Sequence, residues 1–416
     1  MPTALSPIPN PYSLFPMLTP QGHLTYCSNI HPGEKWDDHF KALRNNLPYI
    51  KSQLSPEQPF GLGLRVANEA SLELSKPEKL AEFKTWLDEQ DIYVFVINGF
   101  PYGGFHNTVV KGDVHTPDWT TQDRLNYTIR LFNILQQLLP DGMDGGVSTP
   151  PLSYRLWWKD EAEKQKATAS ATEHVLDLLD ELIHIQKETG TTLHLDIEPE
   201  PDGILDNVDD FVNWYRDILL PAGIARLQEK YELDSEVAKE VILKHIQLCY
   251  DICHAAVAYE EPETILKSLE EIGIRVGRIQ ISSALKIDFA KNAEIKKKAI
   301  ESFNEPVYLH QVVTRNADHT SNHYPDLTEA LEDWNENQEE WRIHFHVPLF
   351  ISSYGFLDST QNEIVKTLAI HKQQPFSTFL EVETYTWGVL PEDIQKPIGE
   401  SIVREMEWVK KTLSDL

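Results

Sequence analysis

The feature that most narrows the fold is a repeated alternation. Short β-rich runs, each closed by turn-forming or polar residues, are separated by longer polar stretches with helical spacing. The runs are 24–30 (LTYCSNI), 60–66 (FGLGLRV), 93–97 (YVFVI), 145–149 (GGVST), 192–197 (TLHLDI), 246–251 (IQLCYD), 275–282 (RVGRIQIS) and 378–383 (TFLEVE). Between them, apolar residues recur at helical spacing over 36–54, 77–89, 121–139, 162–189, 209–231 and 262–272, and again over 398–413. Strand, helix, strand, repeated, implies parallel pairing through right-handed crossovers. Eight such runs predict an α/β fold, a closed (β/α)8 TIM barrel, in one domain spanning 1–416.

Two stretches stand outside the alternation. Residues 1–22 are rich in proline and read as an extended arm. Residues 284–376 are far too long for an ordinary connection and hold two more β-like runs, 307–313 (VYLHQVV) and 342–350 (RIHFHVPLF). We expect an elaborated insert between strands seven and eight that lies over the barrel mouth as a lid or pocket wall. In the alternative register, 342–350 is itself a barrel strand.

Charge and cysteine content exclude several classes. The net charge of -28, with no basic run beyond Lys296–Lys298, argues against a nucleic-acid partner. Three cysteines (Cys27, Cys249, Cys253) do not make a disulfide framework. No charged-then-apolar leader opens the chain, and no apolar window reaches the ~18 residues of a membrane span. The expectation is a soluble cytoplasmic protein without membrane insertion, whose partner is a small-molecule metabolite; its oligomeric state is left open.

In a barrel, side chains at the carboxyl ends of strands face the mouth, where chemistry sits. Those ends carry Asn29 and His31, Asn98, Glu198 and Glu200, Asp251 and His254, Gln280, and Glu381 and Glu383; the insert adds His310, His344 and His346. Several carboxylates at the ends of apolar strands are costly to bury and raise one another's pKa. A divalent cation removes that cost, and an oxygen-rich donor set suits Mn, Mg or Co better than a thiolate zinc site. His344 and His346 share one face of a strand and aim at metal or substrate, or belong to a hairpin with satisfied imidazoles. Aromatic residues near the mouth (Tyr102, Tyr154, Trp157, Trp158, Tyr385, Trp387) suit a larger, less polar ligand than a simple sugar, or ordinary packing.

These strand ends resemble the xylose-isomerase-like TIM-barrel superfamily, which includes sugar isomerases, sugar phosphate isomerase/epimerases, hydroxypyruvate isomerase and an apurinic endonuclease branch. The resemblance implies one divalent metal (Mn, Mg, Co or Zn) held by Glu198 in LDIEPEP, Asp251 in CYDICH, Gln280 in GRIQIS and Glu383 in LEVETYTW. Gln280 stands where the epimerases carry histidine, similar to hydroxypyruvate isomerase. Glu383 is preferred to Glu381 because LEVET mirrors LDIEP. The resemblance further implies Glu198 and Glu383 as proton-moving bases and His254 as a substrate-contacting catalytic histidine. Lys286 falls where epimerases carry a substrate-binding arginine, and His31, His344 and His346 are, from their positions, the other candidate substrate-binding residues. The endonuclease branch shares D-x-x-H and a later H-x-H, but its further zinc histidines have no match in NGFPYGG or STPPLS.

Over YCSNIHPGE, NGFPYGGFH, STPPLSYR, LDIEPEPDG, CYDICHAAVAYE, RIQISSALK, YLHQV, HFHVP and LEVETYTW, the chain is similar to the EboE family of metabolite traffic proteins. That family is encoded in bacterial clusters that move or modify secondary metabolites. The implied activity is metal-dependent isomerisation or epimerisation of a carbonyl or polyol compound. The alternatives are a metal-dependent hydrolase or lyase acting on a phosphorylated or prenylated metabolite, and a non-catalytic metabolite-binding barrel.

Overall fold

A computed structural model describes residues 18–104, 111–304, 310–385 and 396–416. The proline-rich arm up to residue 17, residues 307–309 of the VYLHQVV run and Trp387 lie outside the described residues. The strands are β1 (His23–Tyr26), β2 (Phe60–Arg65), β3 (Ile92–Asn98), β4 (Gly145–Thr149), β5 (Leu193–Ile197), β6 (Ile246–Asp251), β7 (Val276–Ile281), β8 (Ala284–Asp288), β9 (Val312–Asn316), β10 (Ser321–Tyr324), β11 (Gln338–His346), β12 (Ser353–Tyr354), β13 (Leu357–Ser359) and β14 (Phe379–Val382).

Eight of them form one parallel sheet in the order β1-β14-β7-β6-β5-β4-β3-β2. The two edges nearly close on each other. Cys27 bridges Gly63 in parallel, and the Thr25 hydroxyl donates to the Gly61 carbonyl while accepting from the Gly63 N–H. The result is a (β/α)8 barrel. Its strands are buried on both faces, which is why they read as continuous apolar runs rather than as alternating ones.

The helices match the expected periods with two differences. The pattern at 209–231 is broken into Val208–Trp214, a π turn at Tyr215–Leu219, and Leu220–Tyr231. Among the described residues, the helices hidden in the sequence include Asn68–Leu74, Ser235–His245, Ile252–Val257, Leu327–Glu332 and Gln361–Gln373. The helix Ser235–His245 buries Ala238, Ile242 and Leu243, so its last turn merges with the apolar β6 and masks the boundary.

The insert is a second sheet, ordered β10-β9-β11-β8-β13-β12 and antiparallel throughout. The β-like run 342–350 therefore contributes to β11 of this sheet and is not a barrel strand. Helix Gln361–Gln373 then leads into β14, so the tail of the expected insert is a barrel crossover. Leu285, Ile287, Val312, Trp341, Ile343 and Phe345 give the insert its own apolar core. Its other face sits on the barrel. Val313 and Ala284 pack on Cys253 and Val257, and the ring of Tyr259 lies between the Arg315 and Arg342 guanidiniums at 4.0 and 4.1 Å.

A charged layer crosses the barrel interior. Arg278 on β7 donates to Asp196 Oδ2 and Glu381 Oε2, each at 3.0 Å, and to the carbonyls of Ile97 and Gly146. All three side chains are fully enclosed. Glycine at 63, 146 and 277 makes the room: a Cβ at Gly63 would overlap the Glu381 carboxylate, and one at Gly146 or Gly277 the Asp196 carboxylate.

Candidate metal centre

Immediately above that layer, the strand ends deliver three acids. Asp251 is the last residue of β6, and Glu198 and Glu383 follow directly on β5 and β14. One carboxylate oxygen of each lies within 4.8 Å of the others, and all three residues are buried. Among the described residues, no lysine or arginine nitrogen pairs with any of them within 4.0 Å. The Arg278 guanidinium, in the barrel interior nearby, is occupied by Asp196 and Glu381. This separates two acids that share a face of β14: Glu381 belongs to the charged layer and Glu383 to the mouth.

Neutral donors orient the acids. The amides of Asn29 and Asn98 donate to Glu383 Oε1 at 2.7 and 3.1 Å. The Ser282 hydroxyl and the His254 N–H donate to Asp251 Oδ1 at 2.6 and 3.1 Å, leaving Asp251 Oδ2 buried without a hydrogen-bond partner. The Cys249 thiol donates to Gln280 Oε1 at 3.0 Å and lies 3.6 Å from Glu198 Oε2. Gln280 thus stands beside the acids, but its ligating oxygen is engaged; a half-turn of the amide exchanges its two ends. Burial, then the charges of Glu383 and Asp251, push Glu198 well above the usual carboxyl range. Burial and then Asp251 do the same to Glu383. Glu200 is raised to about 8 by burial, with Asp251 and Asp202 adding to it. Clustered buried acids with no counter-cation are what a divalent ion stabilises.

On the insert side of Asp251 stand three imidazoles. His254 lies in the helix that follows β6, while His344 and His346 project from one face of β11. Each is anchored through Nδ1. His254 Nδ1 meets the Pro199 carbonyl at 3.0 Å, His344 Nδ1 the Gln311 Oε1 at 2.8 Å, and His346 Nδ1 the Glu383 carbonyl at 2.8 Å. The Gln311 amide is itself fixed, since its Nε2 donates to the Pro201 carbonyl at 3.0 Å. Burial holds His254 and His344 well below the usual imidazole range and lowers His346, with neighbouring imidazoles adding to the first two. Three further groups have ligand atoms within 4.8 Å of one another: Asp251, His254 and His346; Glu200, His254 and His344; and Cys253, His344 and His346.

The remaining sequence-selected residues lie elsewhere. His31 is buried against Tyr26, with Nε2 2.8 Å from the phenol oxygen. Lys286 is on β8 with its ammonium 4.0 Å from Glu340, and among the described residues no ion pair joins it to the acids. His310 stacks on Phe345 and faces Asp326 at 3.5 Å, on the insert's side. Tyr385 touches the His346 ring, with centroids 4.7 Å apart, whereas Tyr102 packs on Tyr127. Gln311 was passed over as a site residue, and Cys253, which with Cys249 flanks Asp251 and could serve a metal, was set aside as a small buried residue. The place of Gln311 arises from how the insert folds onto the barrel, and no local spacing announces it.

No family model matches the chain, and no curated protein matches it either. Solved structures do. A putative sugar phosphate isomerase/epimerase from Anabaena variabilis is 12% identical, with 94% of this chain and 98% of that one covered and a TM-score of 0.48. A xylose isomerase-like TIM barrel protein from Mycobacterium smegmatis in complex with magnesium is 11% identical, with 94% and 96% covered and a TM-score of 0.47. The IOLI protein with a bound zinc atom is 12% identical, with 94% and 98% covered and a TM-score of 0.46. The barrel assignment for this chain rests on its own strand order.

Proposed function

We propose that this barrel is a divalent-metal-dependent isomerase or epimerase acting on a small carbonyl or polyol compound. The observation that carries this reading is the convergence of Glu198, Asp251 and Glu383, buried, within 4.8 Å and, among the described residues, without a lysine or arginine partner. These three, with the Gln280 amide oxygen, would hold the ion. A bound divalent ion supplies Lewis-acid polarisation of a substrate oxygen. Glu198 and Glu383 stand on strands that are not neighbours in the sheet, so they approach a substrate from two sides. One would take a proton from the carbon beside the carbonyl and the other would return it, a transfer that requires each to come within hydrogen-bond reach of its proton. Asn29 and Asn98 hold the Glu383 carboxylate in one orientation for that transfer. The stretches quoted above support placing the activity in secondary-metabolite processing or traffic, as in the EboE family.

A second reading, a metal-dependent hydrolase, is favoured by the imidazoles grouped beside the acids, since mixed nitrogen and oxygen donors also suit a hydrolytic ion. Proton NMR in deuterated water tests the first reading. Mn- or Zn-loaded protein should exchange the α-proton of a responsive hydroxyketone or aldose for deuterium, and Glu383→Gln should not. Exchange that persists undiminished in Glu383→Gln removes that residue from the chemistry. Phosphate release from a monoester panel without any exchange favours the hydrolase.

A further inference from the structure

We propose that His115 and Glu200 form a hydroxyl-binding clamp that selects an uncharged, hydroxylated compound beside the acidic site. This rests on the isomerase or epimerase reading above and narrows its substrate class to a neutral polyol rather than a phosphate ester.

His115 ends the turn Lys111–His115, which follows β3 in the chain. Its ring is fully buried. It lies between Phe100 and Tyr154, with centroids 5.5 and 5.1 Å away, and stands nearly at right angles to Trp157 at 6.4 Å. Yet among the described residues neither of its nitrogens has a hydrogen-bond partner. A phenylalanine would fill the same stack without leaving two polar atoms unpaired, so ring packing does not explain an imidazole here.

The nitrogens have something to face. His115 Nε2 is 3.7 Å from Glu200 Oε2, a second buried atom without a hydrogen bond. That separation is too long for a direct hydrogen bond. It is well within the roughly 5.6 Å that a single oxygen bonded to both can span. A hydroxyl fits, because it donates and accepts at once. It can donate to a carboxylate and accept from an imidazole N–H, or do the reverse with a carboxylic acid and a bare nitrogen. The match therefore does not depend on where the protons lie.

The surrounding chain fixes the clamp and sets its place. Arg124 donates to the carbonyls of Gly99, Phe100 and Pro117, which ties the backbone on both sides of His115. The Trp119 indole N–H donates to the Thr149 hydroxyl at 2.8 Å. Glu200 is two residues beyond Glu198, so the clamp adjoins the acids. Trp157, 37% exposed, carries the aromatic wall from the His115 ring out to solvent. A phosphate would be misplaced, since it is held by cationic donors. Glu200 faces the imidazoles of His115 and His344 and, among the described residues, no lysine or arginine. Arg155, farther along the same loop, is already paired with Asp202 and Asp206 at 3.0 and 3.4 Å.

The test uses polyols that have no carbonyl and cannot turn over: sorbitol and myo-inositol, each beside its monophosphate. Binding to the full chain in magnesium buffer is followed by NMR of ring-labelled histidines. At least one polyol should shift the His115 resonance saturably, and its monophosphate should bind at least about tenfold more weakly. His115→Phe should weaken polyol binding by about tenfold, the effect of one lost hydrogen bond in a buried site. Binding of neither polyol, a monophosphate that binds as tightly, or an unchanged affinity in His115→Phe overturns the clamp. Should His115→Phe fail to fold, wild-type crystals soaked in the polyol still decide. A hydroxyl oxygen should touch both His115 Nε2 and Glu200 Oε2, and the two side chains bonded directly to each other instead would refute it. The readout is separate from turnover. Polyol binding at His115 without deuterium exchange in any hydroxyketone or aldose upholds the clamp and removes the isomerase reading. Exchange without a polyol shift at His115 removes the clamp and leaves that reading standing.

Discussion

Replacing Arg278 by Met removes the guanidinium from the charged layer beneath the site. Arg278, Asp196 and Glu381 are fully enclosed, so water cannot screen what remains. Taking one partner from a buried ion pair costs about 3–5 kcal/mol, because the other charge stays desolvated. The carbonyls of Ile97 and Gly146 also lose a donor, at about 1 kcal/mol each. The sum is roughly 5–7 kcal/mol, a large share of the ~5–15 kcal/mol that holds a typical protein folded. Urea unfolding of the two chains at neutral pH measures it. The triple variant Arg278→Met/Asp196→Asn/Glu381→Gln should regain part of the loss, since uncharged amides are cheaper to leave without a cation. A single-variant loss under about 1 kcal/mol, or a triple variant no better than the single, would refute the assignment of Glu381 to this layer. It would reopen Glu381 as a rival to Glu383 at the mouth.

Other expectations are more direct. Glu383→Gln should abolish turnover and weaken metal binding while leaving the urea midpoint near wild type, because Gln keeps an oxygen for the Asn29 and Asn98 amides; full activity would exclude the role. Gly277→Ala should destabilise by about 1–3 kcal/mol or more through overlap with Asp196, and an unchanged midpoint would contradict the packing of the layer. Metal affinity should rise with pH, since Glu198 and Glu383 hold protons above the usual carboxyl range and a cation must displace them. Each proton displaced gives up to about a tenfold gain per pH unit, read from binding isotherms at several pH values; a flat profile would contradict it. The same upward shifts make the metal-free fold lose stability as pH climbs from the ordinary value of 4.5, because the unfolded chain releases protons there that the folded acids retain.

Much of this was legible in the sequence because the signals are local. A strand buried on both faces must be an apolar run, so LTYCSNI through TFLEVE stood out in order. A carboxylate at the end of such a run has to be explained, which drew attention to Glu198, Glu200, Asp251, Glu381 and Glu383; the family resemblance is what favoured Glu198, Asp251 and Glu383 among them. The rest depends on closure. Arg278 in VGRIQIS reads as one polar residue in a strand; only the closed barrel brings Asp196 and Glu381 to its two sides. Without that, Glu381 and Glu383 share a face and cannot be told apart. The helix Ser235–His245 was hidden because its buried Ile242 and Leu243 run straight into β6. His344 and His346 were visible as a period-two pair. What they face follows from antiparallel pairing across the insert and from Gln311, neither of which leaves a local pattern.

The insert supplies His344 and His346 and the barrel supplies Asp251 and His254, so an ion that bound across both would couple metal occupancy to docking of the insert on the barrel. An ion at about a thousand times its dissociation constant stabilises the bound state by about 4 kcal/mol. That free energy is available only where both halves of the site are together, and it should appear as slower opening of β11 relative to the barrel strands. Hydrogen exchange followed by mass spectrometry reads this peptide by peptide. Chelation should speed exchange over 338–346 by up to about a thousandfold if opening is local, with β3 and β4 little changed. His344→Gln should behave like the chelated wild type whether or not metal is added. Exchange over β11 that is indifferent to both chelation and His344→Gln would mean that the apolar seam of Val313, Ala284, Cys253 and Val257, with Tyr259 between Arg315 and Arg342 and the Gln311–Pro201 hydrogen bond, holds the insert down without a metal. The imidazoles would then play no part in fastening it.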